Sequence, residues 1–238
     1  MGSGKVISMA TQFKGVVLTV PDILKLEHLM FQRFGNLRWW PGETLDEIFL
    51  GAILTQNTSW NNVMRALDKL RAGNNVNIGR ISQMDVGDLA ELIRSSGYHN
   101  QKAARIREIS LHIVGKYGSL EQMRTRGREE VAGFLKGHKG IGPETLSALL
   151  LYVMDFPEFV IDAYTVRVLT RMGFVQDRYD PQRLSSLFVA SLDQDIQRLK
   201  NIHGMFVELA KRYCMKTPKC CYCPLKGMCA YGKQTLMA

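Results

Sequence analysis

Five cysteines, the whole supply of the chain, fall between positions 214 and 229 in the stretch CMKTPKCCYCPLKGMC. The thiolate form of cysteine is a metal ligand, and four of them in one short loop suit a tetrahedral zinc or an iron–sulfur cube. The stretch parses as Cys214-x5-Cys220-x2-Cys223-x5-Cys229 with Cys221 left over, or with Cys221 in place of Cys220. Zinc ribbons present two C-x2-C knuckles across a longer insert, whereas here a single C-x2-C pair has wider gaps on both sides. That spacing favours a [4Fe–4S] cluster. A secreted protein scatters its cysteines to staple distant loops, so this clustering points to a metal centre instead.

A second group of residues lies upstream in KGIGPETL, residues 139–146. Gly140 and Gly142 let the backbone turn sharply and approach a partner closely, and Pro143 suits the first position of a helix. Lys139, Gly140, Ile141 and Gly142 thus read as a loop whose amides meet a phosphate at a helix start. Glu144 is an unexpected acid at such a site. Beyond the following apolar stretch stands VIDAYTVRVL, in which Asp162 either caps a helix or serves as a buried carboxylate. The three tryptophans, Trp39, Trp40 and Trp60, lie within 22 residues and bracket Gln56. They pack a core or grip a flat ring; Gln56 bonds backbone at a helix end or enters a base stack. The histidines, His28, His99, His112, His138 and His203, are scattered and suggest no ligand set.

Helices must position all of these. Apolar residues recur at three- and four-residue spacings from PDILKLEHLMFQRFG onward, and Leu45, Ile48, Phe49, Ala52 and Ile53 form one such stripe. Further amphipathic stretches cover 61–71, 87–95, 102–116, 129–136, 143–154, 163–172, 181–191 and 196–212. No stretch alternates with a period of two over the length of a strand. The expectation is an all-α protein of about ten short helices. A six-helix domain would span 37–154 and carry the glycine hairpin. A second domain would combine 21–36 with 155–238 and carry the cysteine loop, and 1–20 would be a tag and flexible N-terminus. No apolar run approaches the ~18 residues of a membrane span, so a soluble intracellular protein is expected. Lysine and arginine outnumber acids 31 to 22, for a charge of +9 and a pI near 9.4. Such an excess suits a polyanionic partner through counterion release.

Hairpin, apolar helix, proline-containing link, V-x-D and four-cysteine tail, in that order, resemble the helix-hairpin-helix DNA glycosylases of the endonuclease III superfamily from about residue 22 to 229. GAILTQNT with Gln56, and SGYHNQKAARI with Tyr98, Asn100 and Lys102, agree with it. The resemblance implies two helical domains with a DNA-binding cleft between them, and Asp162 as the catalytic carboxylate. It also implies a monomer acting on double-stranded DNA containing a damaged base, in the cytoplasm at the nucleoid. In bifunctional members, a lysine that forms a Schiff base with the sugar stands where this chain has Glu144. A carboxylate forms no imine, so a monofunctional glycosylase is implied. Trp39-Trp40-Pro41, the Q-N-T-x-W motif and Glu144 are similar to the 3-methyladenine DNA glycosylase III branch, whose substrates are cationic purines. In that branch Gln56 is a candidate wedge, the tryptophans a lesion clamp, and Lys211 a pocket residue, although Lys211 reads equally as a surface lysine. His138-Lys139 replaces the Leu-Pro found before the first hairpin glycine, and Lys139 adds a phosphate contact. Three alternatives remain: a uracil or thymine mismatch glycosylase using Asn57 and Asn61, a non-catalytic DNA-binding module and, third, a bifunctional lyase.

Overall fold

The computed structural model describes residues 15–37, 39–40 and 42–237. Among them are thirteen α-helices: α1 (Val20–Phe34), α2 (Leu45–Leu54), α3 (Trp60–Ala72), α4 (Ile78–Gln83), α5 (Val86–Leu92), α6 (His99–Tyr117), α7 (Leu120–Arg124), α8 (Arg128–Lys136), α9 (Pro143–Ala148), α10 (Ala163–Met172), α11 (Pro181–Ser191), α12 (Ile196–Arg212) and α13 (Ala230–Met237). The apolar helix expected over 143–154 changes character midway. After α9 the chain widens into a π-turn over Leu149–Val153, closed by the Met154 amide on the Leu149 carbonyl. The additional helices, α4, α7 and α13, have no counterpart in the sequence reading, and the first two are too short for a 3.6-residue period to register. The one β-bridge among the described residues joins Val16 to Val175.

These residues form two compact units, one of 38–160 and one made of both chain ends, up to Leu37 and from Ile161 onward. The middle unit buries Phe49, Leu50, Leu67, Ile81, Ile106 and Leu150 in one cluster. Its helix starts are written locally: the side chains of Thr44, Asn77, Asp85 and Ser119 each accept a first-turn amide. The boundary lies after Val160 rather than after 154, because the link folds back onto this unit. Phe156 N–H donates to the Leu150 carbonyl, Arg124 pairs with Asp155, and Arg128 pairs with Glu158.

One buried cation ties two loops of the middle unit together. Lys102 of α6 is 3% exposed, and its Nζ donates to the carbonyls of Leu54 (2.8 Å), Gln56 (2.8 Å) and Ser96 (2.7 Å). The ammonium uses its three N–H groups on the end of α2 and on the turn before α6. Gln56 and Tyr98 are carried on these two loops, and Asn57 and Tyr98 are both held at positive φ, 55° and 47°.

The terminal unit is closed by non-local bonds. Arg198 of α12 grips Glu27 of α1 with both ends of its guanidinium, at 2.9 and 2.6 Å. Asn201 accepts from the Leu37 amide and donates to the Gly35 carbonyl, fixing the exit from α1. Residues 15–19, expected within a flexible tail, belong to this unit. Val16 is 3% exposed, Val17 N–H donates to the Phe174 carbonyl, and Thr19 with Asp22 forms a capping box for α1.

Lys102→Met leaves three carbonyls without their donor and is expected to lower stability by roughly 2–4 kcal/mol, read from urea unfolding. Burial lowers the Lys102 pKa from 10.5 to about 8, so between those values the unfolded chain holds a proton that the folded one has released. The gap between wild type and variant should therefore widen as pH rises through this window. A gap that narrows would count against a lowered pKa.

Candidate active site and thiol loop

The hairpin joins α8 to α9. Its turn is held by Ile141 N–H on the His138 carbonyl (3.2 Å) and leads into α9, where Leu146 N–H meets the Gly142 carbonyl (2.8 Å). The two glycines differ in role. Gly140 has φ +92°, and a Cβ there would lie 2.8 Å from Arg105 Cδ, so both backbone and neighbour require glycine. Gly142 is extended (φ −80°, ψ 175°) with open space around it, and caps α9 ahead of Pro143. Lys139, Gly142 and Glu144 are exposed, while Gly140 and Ile141 are half-buried.

Gln56 is joined to this hairpin. Its Nε2 donates to the Gly140 carbonyl (2.9 Å) and to Thr145 Oγ1 (3.0 Å), so its side chain bonds across to the hairpin instead of to its own helix end. Two of the three tryptophans meet: Trp40 and Trp60 stand edge to face with ring centroids 5.8 Å apart. Tyr152, absent from the sequence reading, adds a third ring 4.8 Å from Trp40. Gly51 makes room for them, since a Cβ there would sit 3.3 Å from Trp40 Nε1 and 3.6 Å from Trp60 Cη2. Trp40 holds a left-handed backbone, φ 78°, a sparsely populated conformation for a side chain of this size. Trp40 and Trp60 are partly buried against the core, so they pack as well as present a face. Trp39 is half-buried, and Pro41 lies outside the described residues.

In the terminal unit, Asp162 is both helix cap and buried carboxylate. Its Oδ1 accepts the Thr165 amide at 2.7 Å at the start of α10, and the residue is 8% exposed. His203 of α12, 4% exposed, places Nε2 3.6 Å from Asp162 Oδ2. Burial is the largest single influence on Asp162 and pushes its pKa up. The nearby imidazole of His203, with Thr165, outweighs it and holds the carboxyl below its ordinary value. Asp162 is therefore ionised at neutral pH. Sequence reasoning passed over His203; the available signal was its place on the apolar stripe Leu199, Ile202, Phe206 and Ala210 of α12. Lys211 lies on the same helix with Nζ 6.0 Å from the centre of the Tyr164 ring, and Tyr164 is two residues after Asp162.

Cys214, Cys220, Cys223 and Cys229 line one cavity, with Arg171, Tyr213 and Tyr231 among its walls. Cys221 is exposed and is not among the lining residues. Burial raises the Cys223 thiol to about 11, and Cys214, Cys229 and Cys220 each add to the rise. Mutually repelling thiolates of this kind are what a cationic metal centre relieves. Two sulfurs also accept N–H groups: Cys214 Sγ from Arg171 Nη1 and Cys229 Sγ from the Gly232 amide, both at 3.3 Å. Among the described residues, no three His, Cys, Asp or Glu side chains form a group that would hold a metal ion in this geometry.

Residues 50–193 match the model of the HhH-GPD superfamily of base excision DNA repair proteins. A Methanocaldococcus jannaschii protein, provisionally named a DNA repair glycosylase, is 36% identical over 87% of this chain and 95% of its own length. Endonuclease III of Thermotoga maritima is 29% identical over 79% of this chain and 83% of that one. Among solved structures, the Helicobacter pylori 3-methyladenine DNA glycosylase bound to 1,N6-ethenoadenine superposes with a TM-score of 0.70 at 27% identity, covering 82% of this chain and 98% of that one. A non-covalent endonuclease III–DNA complex gives a TM-score of 0.76 at 18% identity over 93% of this chain and 100% of that one, a likeness of fold. The chain belongs to the HhH-GPD superfamily of base excision DNA repair proteins.

Proposed function

We propose that this DNA glycosylase is monofunctional and releases alkylated, cationic purines of the 3-methyladenine class from double-stranded DNA. The observation that carries the reading is Asp162, a buried carboxylate kept ionised by its neighbours. Such a group stabilises the oxocarbenium character of a sugar losing its base, and orients or deprotonates the water that attacks the anomeric carbon. A purine already positively charged needs no proton in order to leave. The hairpin Lys139–Gly142 meets the DNA backbone through its amides and the exposed Lys139, which accounts for an acid at Glu144: phosphate is held by main chain, not by that side chain.

Trp40 and Trp60, with Trp39 and Pro41 beside them in the chain, provide the aromatic surface on which a flipped cationic base gains about 1–2 kcal/mol from the ring quadrupole. Lys211, over the Tyr164 ring two residues beyond the carboxylate, is the candidate pocket lysine. Gln56 is the wedge that enters the vacated stack, which requires it to leave Gly140 and Thr145. Glu144 occupies the lyase position and forms no imine. The amine with a lowered pKa, Lys102, is buried and committed to three carbonyls, which removes it as a substitute nucleophile. A [4Fe–4S] cluster on Cys214, Cys220, Cys223 and Cys229 would hold the basic loop containing Lys216, Lys219 and Lys226 in shape.

Wild type should free 3-methyladenine from methylated duplex DNA, and Asp162→Asn should lose roughly 10²–10⁴-fold in rate. Asparagine caps a helix about as well as aspartate, so the variant separates chemistry from folding. Release of uracil from a uracil–guanine duplex, without release of any methylated purine, would replace this reading by the mismatch one. Borohydride with abasic duplex should trap no covalent adduct; a trapped adduct, lost in Lys139→Ala, would assign lyase chemistry to that lysine. Purified protein should contain about four irons per chain, retained in Cys221→Ser and lost in Cys220→Ser. The opposite pair of results would exchange the two ligands.

A further inference from the structure

A histidine on the apolar stripe of a helix is costly to bury unless a polar partner meets it. His203 is such a residue, and the partner it meets across the α10–α12 contact is Asp162. The two carboxylate oxygens face different elements: Oδ1 accepts the Thr165 amide of α10, and Oδ2 faces Nε2 of His203 of α12 at 3.6 Å, beyond hydrogen-bond distance but within ion-pair range. We propose that His203 is a positioning residue for Asp162, setting the plane of the carboxylate and presenting Nε2–H to its Oδ2 edge. The inference rests on Asp162 being the catalytic carboxylate.

The other charged groups on the packed elements have their own engagements. Arg167 donates to the Cys214 and Ala210 carbonyls, and Lys211 lies over the Tyr164 ring. Arg198 pairs with Glu27 of α1, and Arg212 pairs with Glu208. His203 and Thr165 are left as the groups that act on Asp162 against its burial. The direction follows. A carboxyl held low is ionised down to acid pH; without His203, one of the two groups opposing burial is gone and the carboxyl takes up its proton at higher pH. The catalytic anion would then be lost earlier as pH falls.

The test is the pH profile of kcat for base release from methylated duplex DNA, for wild type, His203→Leu, His203→Gln, Asp162→Asn and Phe206→Leu. In His203→Leu, which suits the apolar stripe, the acid limb should move up by about one pH unit. At the foot of the limb this is roughly a tenfold loss against wild type, with KM little changed. His203→Gln, a neutral donor, should recover part of the displacement. Phe206→Leu, a packing change one turn away, should lower the melting temperature and leave the limb in place. Coincident limbs in wild type and His203→Leu, with Asp162→Asn inactive, would overturn the role of His203 alone. An active Asp162→Asn would overturn the catalytic reading and this inference with it. In the unaltered protein, the carbon-13 resonance of the Asp162 carboxyl should titrate below the ordinary aspartate range; a midpoint at or above that range counts against the pairing whether or not the variants fold.

Discussion

A carboxylate stays ionised inside a protein only where donors replace the water it has lost. At Asp162 the first turn of α10 donates and the imidazole of His203 stands 3.6 Å away, and much of the terminal unit is arranged to bring them together. The cap fixes where α10 begins. The pairing of α10 with α12 supplies the histidine, and the Arg198–Glu27 and Asn201 bonds anchor α12 to α1 and to the exit from it. The cap and the chemical group are one side chain. A helix start with its carboxylate turned inward is both the local signal for α10 and the feature on which a glycosidic chemistry can be built.

The middle unit solves a different problem, which is to hold exposed loops still without burying their tips. Lys102 does this from beneath, with one ammonium on three carbonyls. Gly140 does it at the hairpin, where only a residue without Cβ clears Arg105 at positive φ. Gln56 spans the two, its carbonyl on Lys102 and its amide on Gly140, so the hairpin and the turn after α2 move as a pair. Use of Gln56 on DNA would exchange two protein hydrogen bonds for contacts with nucleic acid, a nearly balanced exchange that keeps the side chain available.

The thiol loop has almost no regular structure of its own. Arg171 binds it instead, donating to the carbonyls of Cys214, Met215 and Lys216 and to the Cys214 sulfur, while Arg167 takes the Cys214 carbonyl from the same helix. Both arginines follow Asp162 along α10. The helix that carries the carboxylate at its start therefore holds the thiol loop along its side.

From the sequence alone the all-α class, the hairpin, the cap at Asp162 and the cysteine spacing could be read, because each depends on neighbours within a few residues. A glycine beside a proline, an acid before an apolar helix and a C-x2-C pair carry their geometry locally. The short helices α4 and α7 escaped because periodicity needs length, and the boundary after Val160 escaped because it is set by Arg124 and Arg128, about thirty residues upstream. Tertiary packing alone decided that His203 meets Asp162, that Tyr152 joins Trp40 and Trp60, that Gln56 reaches Gly140, and that Cys221 is left outside the ring of four thiols. Those contacts join positions 41 to 112 residues apart, or turn on the facing of adjacent side chains. Side-chain type sets which contacts are worth making, but only the packed chain sets which partners arrive.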